Sequence, residues 1–169
     1  VKAGTYYIGA GGISLSNVLN KRIIFERGAI LKWHSSVAFS ALRVMIKLTN
    51  CSNVEFVNLK ALGANNPSIW VKTEKTIKAG LVDKQTAFFM QGCTNIKLSS
   101  PDIQNFTWGI YTFASSAAGK SIGIKIVDGY LTGNFTGIVW ESYIVDGITS
   151  CDVLNTNSVA NWKWGQWME

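Results

Sequence analysis

A hexapeptide recurs along this chain. Asn105-Phe106-Thr107-Trp108-Gly109-Ile110 returns as Asn134-Phe135-Thr136-Gly137-Ile138 and, more loosely, as Asn161-Trp162-Lys163-Trp164-Gly165, the starts lying 29 and 27 residues apart. A second landmark runs in step. Cys51-Ser52-Asn53-Val54-Glu55-Phe56 is echoed by Cys93-Thr94-Asn95-Ile96-Lys97-Leu98, then by Ser121-Ile122-Gly123-Ile124-Lys125-Ile126 and by Cys151-Asp152-Val153-Leu154. Self-similarity at a fixed period means a stack of like units, each needing its neighbours to bury its apolar face.

The content of one period says which stack. Val54-Glu55-Phe56, Ile96-Lys97-Leu98 and Ile124-Lys125-Ile126 alternate apolar and polar residues. Period two sends alternate side chains to opposite faces of a strand. The runs are short, rich in β-branched and aromatic residues, and separated by Asn, Gly, Ser and Asp, the residues of strands and tight turns. No long apolar stripe at helical spacing is present. The expected fold is all-β, a parallel β-helix with coils of about 28 residues, coils stacking at about 4.8 Å. Ile96, Ile124 and Val153, 28 and 29 residues apart, should form one inward column, with Val54 a further coil away.

The opening of the chain adds a resemblance. Gly4-Thr5-Tyr6-Tyr7-Ile8, the turn Ser16-Asn17-Val18, Ile23-Ile24-Phe25 and Gly28-Ala29-Ile30-Leu31 resemble the first coils of pectate-lyase-like right-handed β-helices. Among these they look most like bacteriophage tailspikes and tail fibres. The resemblance is a pattern of coils, and no active-site motif of a named enzyme family accompanies it. It implies a right-handed helix, a homotrimer in the virion tail folded in the host cytoplasm, and contact with host surface polysaccharide and other tail proteins. It leaves two functions open: a binding segment or shaft, and a polysaccharide depolymerase of glycoside hydrolase or lyase type.

With 169 residues, 47% of them hydrophobic, the chain is long enough for one β-helix domain. It starts at Val1 and ends without an obvious cap, which suggests a fragment of a longer chain. The step from Val54 to Ile96 is about 14 residues longer than its neighbours, placing a charge-dense surface insertion near residues 72–85. Net charge is +6, but no basic run exceeds Lys21-Arg22, so no nucleic-acid patch is indicated. No apolar run reaches the roughly 18 residues of a membrane helix. Gly9-Ala10-Gly11-Gly12 lacks the Gly-Lys-Ser/Thr ending of a phosphate loop and reads as a turn. Cys51, Cys93 and Cys151 are too widely spaced for a metal motif or a disulfide framework and read as inward thiols in one core column. No cofactor or metal site is expected.

Carboxylates are the remaining candidates for catalysis. Asp102 and Asp128 each follow an Ile-Lys-Leu or Ile-Lys-Ile strand, which places them near the same turn of adjacent coils. Two carboxylates about 5–9 Å apart across a sugar bond are what glycoside hydrolysis needs. Asp is also a turn residue, and Asp128-Gly129 is a turn signature. Glu141, next to Trp140, is the reserve acid. Trp108, Tyr111, Trp140 and Tyr143 are the candidate glycan-stacking residues, and with Trp162, Trp164 and Trp167 they crowd the last coils. Such rings either stack on sugars or cover an interface.

Overall fold

A computed structural model describes residues 1–38, 41–65, 85–159 and 164–168. The insertion expected near 72–85 lies almost wholly outside the described residues, as do Trp162 and the side chains of Trp164 and Trp167. The described structure is all-β apart from one 3-10 turn, Ala117–Gly119.

Its strands fall into three parallel sheets that the chain visits in a fixed cycle. Sheet A takes β1 (Gly4–Ile8), β4 (Ala29–Trp33), β7 (Lys60–Leu62), β10 (Asp102–Gln104), β14 (Tyr130–Thr132) and β18 (Asn157–Val159). Sheet B takes β2 (Ile13–Ser16), β5 (Arg43–Thr49), β8 (Gln85–Gln91), β11 (Trp108–Ala114), β15 (Thr136–Ser142) and β19 (Trp164–Met168). Sheet C takes β3 (Leu19–Ile24), β6 (Ser52–Val57), β9 (Thr94–Ser99), the split pair β12 (Ser121–Ile122) and β13 (Lys125–Val127), and the split pair β16 (Ile148–Thr149) and β17 (Asp152–Leu154).

Alternation explains why these segments form strands. One side chain of each pair enters the space between the sheets and the next faces out. Inward columns then run from coil to coil: Leu31, Ala61, Ile103 and Leu131 in sheet A, and Ile46, Phe88, Ile110 and Ile138 in sheet B. All of these are buried. In sheet C, Phe56 meets Leu98, and Leu98 meets Ile126.

The bends carry a second kind of column. Asn20, Asn53, Asn95, Gly123 and Ser150 all have positive φ, between 52° and 71°, and the strand registers put them at equivalent positions. Asn tolerates the left-handed region better than other side-chain-bearing residues because its short amide bonds locally. Here the amides also bond vertically: Asn53 Nδ2 donates to Asn20 Oδ1 at 2.9 Å, and Asn95 Nδ2 to Asn53 Oδ1 at 3.1 Å. Asn58, Ser100, Asp128 and Asn155 form a parallel column at the bend between sheets C and A, with φ from 47° to 57°.

The structure corrects the expected core register. Val54, Ile96 and Ile124 do stack inward. Val153 does not join them. Lys125 pairs with Asp152, so Val153 lies beside Ile126, and Cys151 lies beside Ile124. Residues 115–120 link β11 to β12, but only 143–147 link β15 to β16, so that coil is one residue shorter. The thiols are corrected likewise. Cys51 and Cys93 are adjacent and buried, and Cys151 sits in the next column. Burial pushes the Cys93 and Cys151 thiols up, away from the reactive thiolate.

Candidate functional site

The outer face of sheet B is the most aromatic surface that the described strands build. Its outward rows are set by register. One runs Lys47, Phe89, Tyr111, Val139; the next runs Thr49, Gln91, Phe113, Glu141. Residues two apart on a strand share a face, so Tyr111 and Phe113 both project outward from β11. The rings contact in a chain. Phe89 meets Tyr111 edge-on at 5.5 Å, Trp108 meets Tyr111 at 5.9 Å, Tyr111 meets Phe113 at 6.3 Å, and Phe113 meets Tyr143 edge-on at 5.7 Å. Edge-on contacts of this kind contribute about 0.5–1.5 kcal/mol beyond area burial and fix the ring orientations.

Charge frames the rings at both ends. Lys47 Nζ sits 5.7 Å from the Phe89 centroid, a cation over a ring face. At the far end the Tyr111 hydroxyl donates to Glu141 Oε2. The face therefore offers flat apolar surface with a donor, an acceptor and a carboxylate at its margin, the combination that holds a pyranose by its ring face and its hydroxyls.

Of the four residues expected to stack on glycans, Trp108, Tyr111 and Tyr143 lie on this face. Trp140 does not. It is only 5% exposed, in register with Thr112 and through it with Met90 and Leu48, an inward column. Alternation decides this: Val139 and Glu141 point outward, so Trp140 between them points in. The Tyr143 ring is 70% exposed and extends the face past the end of β15.

The three candidate acids are separated by function as well as place. Asp102 opens β10 on the outer face of sheet A, where Lys60 from the neighbouring coil lies 2.7 Å from its Oδ2 and Gln104 Nε2 donates to its Oδ1 at 2.5 Å. Asp128 is more exposed and stands in the left-handed column already described, in register with Ser100 and not with Asp102. Asp102 is instead level with Tyr130. The expected equivalence of the two aspartates is therefore off by two positions, and a backbone constraint accounts for Asp128. Glu141 alone among the three borders the rings. Among the described residues no group of three or more His, Cys, Asp or Glu could hold a metal ion.

Sequence reasoning missed Phe89 and Phe113, which carry as much of the face as the tryptophan and tyrosines. Their signal was available: both sit at outward positions of apolar strands, where a large ring is unexpected. The recurring Asn-Phe-Thr motif proves to be structural. Register steps by 28 residues there, from Trp108 to Thr136, so the copies are one position out of step. Asn134 is buried beside Phe106, accepts its backbone N–H at 2.9 Å and donates to the Ile103 carbonyl at 3.0 Å. No family model, curated protein or solved structure matches this chain.

Proposed function

We propose that this chain is a segment of a right-handed parallel β-helix, with coils of about 28 residues, that binds polysaccharide on the outer face of sheet B. The continuous ring chain Phe89–Tyr111–Phe113–Tyr143, with Trp108 beside it, carries this reading. The cyclic order of three parallel sheets supports the helical part, and the resemblance of the opening coils to tailspikes and tail fibres supports a host-attachment role within a trimeric virion protein. Titrating the purified protein with a panel of bacterial capsular polysaccharides and lipopolysaccharides, read by tryptophan fluorescence and calorimetry, tests it. Tyr143→Ala and Phe113→Ala should each weaken binding about fivefold, the loss of roughly 1 kcal/mol of ring contact. Binding that survives both changes moves the site off sheet B.

A depolymerase is the second reading, and Glu141 is the observation that favours it: a carboxylate against the ring face, oriented by the Tyr111 hydroxyl. In that case Glu141→Gln abolishes release of reducing ends or unsaturated sugars while glycan binding persists. Equal turnover by the variant, or none by the parent, leaves the binding reading.

A further inference from the structure

The outer face of sheet C carries a pattern that glycan binding on sheet B does not use. Three rows run across five coils. The first is the left-handed polar column, Asn20, Asn53, Asn95, Gly123, Ser150. The second is a row of charges in register, Arg22, Glu55, Lys97, Lys125, Asp152. The third is Ile24, Val57, Ser99, Val127, Leu154. Within the chain, Arg22 pairs with Glu55 at 2.8 Å, Lys97 with Glu55 at 3.4 Å, and Lys125 with Asp152 at 3.5 Å. These groups remain accessible: Ile24 is 47% and Leu154 50% exposed, unusual for apolar residues on a flat strand surface.

Along the stack, the charges run plus, minus, plus, plus, minus. Reversed, they run minus, plus, plus, minus, plus. Laying one row on the other makes four of the five positions opposite in sign. Arg22 meets Asp152 of a second copy, Glu55 meets Lys125, and the reciprocal pairs follow. Only Lys97 meets itself, and its own Glu55 already partners it. The apolar row is self-complementary in the same alignment: Ile24 meets Leu154, Val57 meets Val127, and Ser99 meets Ser99. The polar column meets itself.

A two-fold axis lying in the interface, parallel to the strands at the Lys97 coil, makes this superposition. It reverses coil order while keeping each row opposite its own equivalent. An isologous contact of this kind uses the same patch on both partners, and packed sheets with nearly aligned strands are a common arrangement. We propose that the outer face of sheet C is a self-association surface, its occupant a second copy of this chain with coils running the opposite way. A three-fold assembly of parallel coils cannot make this contact within itself, so it is separate from any trimer axis. Both are independent of glycan binding on sheet B.

Size sets the expected strength. The patch spans about 19 Å along the stack and about 13 Å along the strands, from the strand spacing and rise. With side chains included, two copies bury roughly 1,000 Å² in total, at the low end of specific interfaces. A dimer with Kd of roughly 10–100 µM is expected, weakening as salt screens the pairs.

The test mixes two charge reversals. With Arg22→Glu alone, the new carboxylate of each copy faces Asp152 of the other. With Asp152→Lys alone, the new ammonium of each copy faces Arg22 of the other. Each variant should sediment as a monomer where the parent forms dimer. Mixed in equal amounts, one copy of each restores attraction at both ends, and a heterodimer should appear by sedimentation velocity and native mass spectrometry. Far-ultraviolet circular dichroism checks that each variant folds. Should either fail to fold, Ile24→Lys mixed with Leu154→Glu asks the same question at exposed positions of the third row. A parent that stays monomeric at several hundred micromolar protein and low salt overturns the proposal. So does a trimer unaffected by Arg22→Glu, or a mixture that stays monomeric.

Discussion

At the scale of single residues, backbone conformation and ion pairing decide what each acid does. Asp128 holds φ at 54°, a region that costs most side-chain-bearing residues about 1–2 kcal/mol and Asn or Asp less. Asp128→Asn should therefore leave the melting temperature unchanged, and Asp128→Val should lower stability by about 1–2 kcal/mol in a denaturant titration. Equal effects of the two would remove the backbone explanation. Glu55 behaves differently. The Ser99 hydroxyl donates to it at 2.8 Å, and Lys97 and Arg22 stand beside it. The Ser99 bond, with those cations behind it, holds its carboxyl below the ordinary range. A depressed folded value means the stabilisation is complete above the unfolded carboxylate value of about 4.3 and is lost as pH falls through the lower folded one. The parent should thus lose melting temperature below about pH 4.3 more steeply than Glu55→Gln. Parallel melting-versus-pH curves would show that Glu55 is not linked to folding.

At the scale of elements, a coil is held by its inward columns and by the amide ladder at its bend. Ile124 is fully buried in the column it shares with Val54 and Ile96. Ile124→Asp places an unpaired charge there, and loss of more than about 4 kcal/mol, or failure to fold, is expected. Gly123 is the informative neighbour. It continues the asparagine column, has φ of 71°, and a Cβ added to it would lie 2.6 Å from Asn95 Oδ1. That oxygen ends a side chain able to swing aside, as Asn53 and Asn95 already accommodate each other below it. Gly123→Asn should extend the ladder by one amide bond at little or no cost in melting temperature, whereas Gly123→Val, with a branched chain at positive φ, should be clearly destabilising. A large loss for both would mean the ladder cannot grow past Asn95. The ladder was half legible in the sequence: Asn53 and Asn95 recur in the Cys-x-Asn landmark, but Asn20 and Gly123 lie outside any shared motif, and only the strand register unites them.

At the scale of the whole molecule, the stack is uneven from end to end. Strands β1 to β3 are largely exposed, whereas β8, β9 and β11 alternate buried and half-buried positions. An apolar cavity of about 330 Å³, lined by Tyr6, Ile8, Ile13, Leu15, Phe25 and Leu31 among others, opens at the first coil. In a solenoid each coil is stabilised mainly by its neighbours, so a coil with one neighbour opens first. Hydrogen exchange should be fastest for the amides of β1 to β3 and slowest, by orders of magnitude, for those of β8, β9 and β11. Uniform protection along the chain would indicate all-or-none unfolding.

The sequence by itself determined the kind of structure. Alternation placed the strands, since a period of two is written in adjacent residues, and the recurring Asn, Gly and Asp placed the bends, since few residues tolerate positive φ. What it could not determine was register, because register depends on loop length summed over a whole coil. One residue fewer between β15 and β16 moved Val153 and Cys151 into other columns. The same limit separated Asp102 from Asp128, turned Trp140 into the core and put Asn134 beside Phe106. Only the tertiary structure gathered Phe89, Tyr111 and Phe113 into one face, because residues 22 positions apart become neighbours only once the coil between them has closed.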